Sequence, residues 1–111
     1  TGSIIDNFTA GPIYFEEGKR GGHEWIIEFV QQPADINRFT EILDQKLREI
    51  NSDYDAKRYK DMALVAPVIR CAEQGTFYKW MAKRGKLGGQ NKVPRLSNNR
   101  DHLEDILKMM K

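Results

Sequence analysis

The sequence has very little cysteine, no long apolar run and no cluster of metal-binding residues. Its 111 residues include a single cysteine, Cys71, which excludes an intrachain disulfide and any metal cluster built on cysteines. No apolar run approaches the roughly 20 residues of a membrane-spanning helix, and no signal peptide is recognisable. The two histidines, His23 and His102, lie far apart without neighbours at metal-ligand spacing. We therefore expect a cytoplasmic protein with no membrane partner and no metal site.

Catalytic sequence motifs are also missing. The nucleophile motif G-x-S-x-G does not occur, and the glycines fit neither the phosphate-binding pattern GxxxxGK[ST] nor the dinucleotide pattern GxGxxG. Cys71 lies in the apolar run ALVAPVIRCA, so we interpret it as a small buried hydrophobic residue rather than a nucleophile. Taken alone, the chain contains no complete active site.

What the sequence does contain is the composition of an ordinary globular domain, with 40% hydrophobic and 31% charged residues. A length of 111 residues suffices for one hydrophobic core without disulfides or metals. The first residue is Thr1 rather than methionine, which suggests a piece of a longer polypeptide. We expect a linker at 1–22, with at most one short edge strand near 13–15, followed by a single domain at 23–111.

Hydrophobic spacing predicts a small α+β domain. The run HEWIIEFV at 23–30 suits a strand buried on much of both faces, and a second strand is expected at 68–73, after Pro67. The clearest helix runs from Pro33 to about Ile50, because apolar residues recur there every three or four positions. Further helices are expected at 54–60, at 77–84 with Thr76 as N-cap, and after the cap candidates at 97–99. The predicted fold is a sandwich-like arrangement of a small mixed sheet and three to four helices.

Positive charge is concentrated in one segment. Residues 74–100 contain seven basic residues and no acidic one, whereas the whole chain has a net charge of only +2. These basic residues are Lys79, Lys83, Arg84, Lys86, Lys92, Arg95 and Arg100. Such asymmetry indicates a surface that meets phosphate, nucleic acid or an acidic protein, but charge alone does not choose among them.

The stretch GKLGGQNKVPRLS at 85–97 is the most informative part of that segment. Gly88 and Gly89 allow backbone angles that are closed to other residues, and Pro94 fixes its own φ. Lys92 is therefore expected between a conformationally free and a restricted stretch of backbone. Lys92 is then either an ordinary solvated lysine or an ammonium brought to a phosphate by a moving loop. Arg95 is either an anion-binding guanidinium or one half of a structural salt bridge.

The order of several motifs resembles one protein family. The segment GTFYKWMAKRGKLGGQNKVPR contains a GTF step, a helix ending in RG and a Q-x-K-V-P-R step, in that order. This order is similar to the C-terminal region of the auxin-responsive Gretchen Hagen family of acyl-acid amido synthetases. Upstream, GGHEWIIEF and NSDYDAKRYKDMAL resemble the bacterial branch of the same family. The resemblance extends from about Phe8 to the C terminus.

The resemblance implies a place among the adenylate-forming ligases. These enzymes use ATP to convert a carboxylic acid into an acyl-adenylate, and this family then typically transfers the acyl group to an amino acid. It implies that ATP, Mg and the acid are bound mainly by an N-terminal adenylation domain, the expected partner of this chain. The chain itself would be the C-terminal lid domain, inactive in isolation.

The resemblance also assigns residue roles. Lys92 occupies the lysine position of the Q-x-K-V-P-R step, which implies that it is the catalytic lysine brought in by the lid. Lys92 and Arg95 would contact ATP or AMP phosphates, while Gly88, Gly89 and Pro94 would shape the loop that carries them.

The main alternative is a free-standing module that binds anions or nucleic acid through the basic residues of 74–100. Single-stranded nucleic acids are bound largely by stacking bases on aromatic side chains. Few aromatic residues of this segment are placed for stacking, because the two that flank Lys79, Tyr78 and Trp80, are expected in the core. Nucleic acid is therefore not the expected partner.

Overall fold

The computed structural model describes residues 3–14, 21–59, 64–85 and 99–110. Within these ranges it forms a three-stranded sheet and four helices, which confirms the predicted α+β class. In chain order the elements are β1 (Ile4–Ile13), β2 (Gly22–Gln31), α1 (Ile36–Ile50), α2 (Ser52–Arg58), β3 (Val68–Ala72), α3 (Thr76–Lys83) and α4 (Asp101–Met109).

Strand β2 is the centre of a mixed sheet with the order β1-β2-β3. It pairs antiparallel with β1, where Phe8 lies opposite Ile27, and parallel with β3, where Cys71 lies opposite Ile27. The parallel pairing follows from the chain path, because α1 and α2 form the long connection that a parallel neighbour requires. Ile26, Ile27 and Phe29 are almost fully buried, as expected for a central strand covered on both faces.

Strand β1 corrects the expectation for the N-terminal segment. A linker with a short strand near 13–15 was expected, but residues 4–13 form a ten-residue strand along β2. Asp6, Gly11 and Pro12 obscure it in the sequence, because each is unfavourable in a typical strand. An edge strand tolerates them, and the register with β2 shifts around Asp6, as at a β-bulge. Residues 4–13 are thus sheet rather than linker, whereas the place of this domain in a longer polypeptide stays a prediction.

Side chains of β2 alternate between two helical layers. On one face, Ile26 joins the core formed with α3 and α4. That core contains Ile26, Ala72, Phe77, Trp80, Met81, Leu103 and Ile106. On the other face, Phe29 packs edge-on against Phe39 of α1, with ring centroids 5.3 Å apart. The sheet is therefore the middle layer of a three-layer domain.

Helix α1 begins later than its sequence pattern suggested. Asp35, rather than Pro33, marks its start, because the Asp35 carboxylate accepts hydrogen bonds from the backbone N–H groups of Asn37 and Arg38. The helix ends at Ile50 as expected, but Ile50 is 79% exposed and no α1 side chain is fully buried. The apolar side of α1 is thus only partly covered within the described part of the chain.

Cys71 lies on β3, the other edge of the sheet, and its side chain is exposed. The expectation of a buried cysteine is therefore wrong, because an edge strand is not covered as β2 is. Partial desolvation nevertheless raises the pKa of the Cys71 thiol, which disfavours the nucleophilic thiolate. Its interpretation as a residue without a nucleophilic role stays a prediction.

Candidate functional site

The predicted site residues lie outside the described residues. Gly88, Gly89, Lys92, Pro94 and Arg95 all belong to the segment 86–98. The structure does describe the two helices that bound this segment: α3 leads into it through Gly85, and α4 follows it after Arg100. The contacts of these helices fix the described chain before and after the segment.

The start of α3 is held by a buried carboxylate of β2. Glu28, only 3% exposed, accepts hydrogen bonds from the backbone N–H of Gly75 at 2.8 Å and of Phe77 at 2.9 Å. The N-cap is Gly75 at φ +92°, which has no side chain for this purpose. Thr76, the expected N-cap, instead donates its hydroxyl to the carbonyl of Glu73 at 2.7 Å. Since a helix N-terminus favours negative charge, Glu28 replaces the missing cap from the neighbouring strand.

The end of α3 is held against α4 by polar and aromatic contacts around Trp80. The fully buried Trp80 donates its Nε1 hydrogen to Asp105 Oδ2 at 2.7 Å. The Arg84 guanidinium lies 4.5 Å from the Trp80 ring centroid, and His102 meets the same ring edge-on at 5.5 Å. Arg84 Nη1 also lies 3.4 Å from His102 Nδ1. The last turn of α3 is therefore fixed to the first turns of α4.

The start of α4 is held by Arg100, which reaches three acceptors on three elements. It donates from Nη1 to the carbonyl of Pro12 at 2.9 Å, from Nη2 to Glu24 Oε1 at 2.9 Å, and from Nε to Glu104 Oε1 at 2.7 Å. Arg100 was grouped with the basic residues of an anion-binding surface. The structure shows instead that its charge is matched by two carboxylates.

Glu24 is the buried centre of this ion-pair network. Its other carboxylate oxygen accepts a hydrogen bond from Arg70 of β3 at 2.8 Å. Burial opposes ionisation of Glu24, but the hydrogen bonds from Arg70 and Arg100 outweigh it and hold the pKa of the carboxyl below its ordinary value. Glu24 is therefore a carboxylate at neutral pH, and its oxygens are engaged by guanidinium groups.

The basic residues of 74–100 thus divide into different environments. Arg84 and Arg100 have the structural contacts just given, whereas Lys79 and Lys83 are exposed on α3 and form no ion pair with any described residue. Lys86 lies outside the described residues, as do Lys92 and Arg95. Of the four described basic residues in 74–100, two therefore have contacts that join elements of the fold, and two are exposed without an ion pair.

An open groove of about 370 Å³ lies between the start of α3 and the end of α4. Its lining residues are Cys71, Glu73, Thr76, Lys79, Met109 and Met110. Lys79 and Glu73 bring opposite charges to the groove, so it has no strong preference for one sign of ligand. The nearby α3 N-terminus is already occupied by Glu28.

The described residues form neither a cluster of metal ligands nor a membrane-spanning helix. No three histidine, cysteine, aspartate or glutamate side chains in these ranges are grouped as metal ligands. None of the helices in these ranges combines the length and apolar character needed to cross a membrane.

Sequence reasoning did not single out Glu24 and Glu28. The signal was present in HEWIIEFV, where strand alternation puts both glutamates on the same face as Ile26. A charged side chain on the buried face of a central strand requires a partner. The partner of Glu24 is the Arg100 guanidinium, and that of Glu28 is the first turn of α3. Neither could be deduced without the fold.

Comparisons with known proteins identify the class of domain. The sequence model of the GH3 family C-terminal domain matches residues 1–101. A solved structure of the GH3.15 acyl acid amido synthetase superposes over 97% of this chain with a TM-score of 0.65 and 16% identity. The AtGH3.15 acyl acid amido synthetase in complex with 2,4-DB superposes over 96% of this chain with a TM-score of 0.64, also at 16% identity. No curated protein sequence matches this one.

The chain therefore belongs to the GH3 family, in which it corresponds to the C-terminal domain. This confirms the resemblance seen in the ordered motifs of the sequence. The solved structures share its fold, and the chain spans about 20% of the length of each.

Proposed function

We propose that this chain is the C-terminal lid domain of an ATP-dependent acyl-acid amido synthetase. The carrying observation is the family match over residues 1–101, which covers almost the whole chain. The complete enzyme would adenylate a carboxylic acid and join the acyl group to an amine, with an amino acid as the expected acceptor. The solved relatives are described as acyl acid amido synthetases, which supports this class of reaction.

In this proposal the N-terminal domain binds most of the ATP, the accompanying Mg and the acid, and this domain closes over them. Negative charge develops at the α-phosphate as the acid attacks and pyrophosphate leaves. Lys92, placed there only on closure, would stabilise the transition state more than the ground state. Arg95 would contact the same phosphates, and Gly88, Gly89 and Pro94 would shape the loop. Lacking the other domain, the isolated chain would be inactive.

The cellular setting belongs to the same proposal. We propose that the enzyme is cytoplasmic and belongs to the bacterial branch of the auxin-responsive family. The motifs GGHEWIIEF and NSDYDAKRYKDMAL support the assignment to this branch. A single, exposed Cys71 suits a reducing compartment, where free thiols persist.

The decisive experiment uses the full-length polypeptide. Carboxylate-dependent exchange of pyrophosphate into ATP is measured for the wild type, Lys92→Ala and the control Lys108→Ala, which removes an exposed lysine of α4. We expect Lys92→Ala to lower the exchange rate about a hundredfold or more, and Lys108→Ala to leave it nearly unchanged. Equal rates for all three would remove Lys92 from the adenylation step. A native polypeptide of only 111 residues would contradict the lid assignment itself.

The second candidate is an anion- or nucleic-acid-binding module, favoured by Lys79 and Lys83, which are exposed and unpaired among the described residues. It predicts that the domain binds single-stranded RNA with an affinity that falls steeply with salt. The double variant Lys79→Ala/Lys83→Ala would then weaken binding and reduce the salt dependence. We expect no such binding from a lid domain.

A further inference from the structure

The groove between the start of α3 and the end of α4 contains two charges of opposite sign. Glu73 precedes α3, Lys79 lies on α3, and both residues line the groove. Both are exposed, and neither forms an ion pair with the other or with any other described residue. The carboxylate and the ammonium are therefore free to bind a ligand that carries the two complementary charges.

The rest of the groove is suited to an apolar group. Met109 and Met110 are half-buried at the end of α4 and pack against the core that contains Trp80. Methionine side chains are unbranched and polarisable, so they adapt to apolar groups of different shapes. Thr76 adds a hydroxyl, which donates its hydrogen to the Glu73 carbonyl and can still accept a hydrogen bond.

We propose that this groove binds a zwitterionic α-amino acid with an apolar side chain. Glu73 binds the ammonium group of the ligand, Lys79 binds its carboxylate, and the two methionines contact its side chain. A ligand with only one charge would be attracted by one of these residues and repelled by the other. The volume of about 370 Å³ lies within the range of small-molecule sites.

The inference does not rest on the proposed function. All the residues that line the groove are described by the structure, and none belongs to the segment 86–98. Because exposed charge pairs are weakened by water and salt, we expect a Kd in the millimolar range that rises with ionic strength.

Cys71 provides a local measure of occupancy. It is the only cysteine of this chain, it is exposed, and it lines the same groove, so a bound ligand covers it. The rate of its alkylation by iodoacetamide is measured in the full-length polypeptide by mass spectrometry of the peptide that contains it. We expect about 20 mM L-leucine to slow this alkylation about threefold or more, as a Kd of a few millimolar requires.

Two analogues of leucine test the need for both charges. The compound 4-methylpentanoate lacks the ammonium group, and 3-methylbutylamine lacks the carboxylate. At the same concentration as leucine, each should leave the alkylation rate nearly unchanged, because each is repelled by the unmatched charge of the groove. Protection by either analogue equal to that by leucine would overturn the assignment to an amino acid.

Variants locate the binding in this groove. Protection is expressed for each variant as the ratio of its own alkylation rates without and with leucine, since a substitution can alter the reactivity of Cys71 itself. We expect Glu73→Ala and Lys79→Ala to lose most of the protection. Lys83→Ala should retain it, because Lys83 is an exposed lysine of α3 that does not line the groove.

Three results would contradict the inference: no protection of the wild type, equal protection in Glu73→Ala and Lys79→Ala, or loss of protection in Lys83→Ala. Equal protection in the first two variants would mean that leucine acts from another site of the polypeptide. Glu73 and Lys79 are exposed, so both variants are expected to fold. Glu73→Gln and Lys79→Gln, which remove the charge and keep most of the side chain, replace an alanine variant that does not.

Discussion

The two faces of the sheet are held by different means. The face toward α3 and α4 combines a fully buried core around Trp80 with carboxylates that anchor the start of each helix. The face toward α1 and α2 has a T-shaped contact between Phe29 and Phe39, and α1 buries no side chain completely. The face with the more extensive buried contacts is therefore the one whose two helices precede and follow the segment 86–98 in the chain.

The largest difference in stability between the two faces is expected when one aromatic side chain on each face is replaced by alanine. Trp80→Ala removes a fully buried side chain and its hydrogen bond to Asp105, so we expect a loss of about 3–5 kcal/mol in the free energy of unfolding. Phe39→Ala removes a half-buried ring and should cost about 1–2 kcal/mol. Urea denaturation of the isolated domain measures both. Equal losses would show that the α1 face is packed as well as the other.

The cap of α3 gives the next largest effect. Glu28→Ala leaves the backbone N–H groups of Gly75 and Phe77 without their acceptor inside the protein, at an expected cost of about 1–3 kcal/mol. Glu73→Ala, which removes an exposed carboxylate near the same turn, should change stability by about 0.5 kcal/mol or less. Thermal unfolding of both variants tests this. If Glu28→Ala is as stable as Glu73→Ala, the cap is not a source of rigidity.

On the other face, Asp44 joins α1 to α2. Asp44 accepts hydrogen bonds from Arg58 Nε and Nη2 and from the Tyr54 hydroxyl, each at 2.7 Å. The bonds from Arg58 are the main cause that lowers the pKa of Asp44, and they outweigh its burial. The stabilisation is therefore complete above the unfolded pKa of about 4 and is lost as the pH falls through the lower folded value.

Asp44→Asn tests this contribution, with an expected loss of about 1–3 kcal/mol at pH 7. The gap between the variant and the wild type should narrow as the pH falls below about 4, as urea denaturation at pH 7 and in acid would show. A gap that is independent of pH would mean that the carboxylate charge contributes nothing to the joint between α1 and α2.

Sequence periodicity predicted most of the elements, because the buried positions of β2 and the helices require apolar residues at regular spacing. It failed for β1, where Asp6, Gly11 and Pro12 are tolerated only because the strand lies at an edge. It also failed for Cys71, whose apolar surroundings in the sequence do not reveal the exposed margin of the sheet. The roles of Glu24 and Glu28 depend on Arg100, 76 residues from Glu24, and on Phe77, 49 residues from Glu28, which no local pattern specifies.

The smallest expected effect concerns His23, on the α1 and α2 face. Burial, and secondarily the charge of Lys57, lower the pKa of His23, which also packs against the Tyr54 ring. The unfolded chain, with a histidine pKa of about 6.5, therefore binds this proton more readily than the folded one. Stability should fall as the pH decreases from about 7.5 to 5.5, because protonation then favours the unfolded state.

Two variants separate the causes of this slope. His23→Gln should remove the contribution of His23 to the change in free energy of unfolding between pH 7.5 and about 5.5. Urea denaturation at several pH values measures this change. Lys57→Gln should reduce that contribution without abolishing it, because burial is the larger cause. If wild type and His23→Gln have the same slope, the environment of His23 does not favour the neutral ring. The α1 and α2 face would then be more open to water around His23 than its half-buried position indicates.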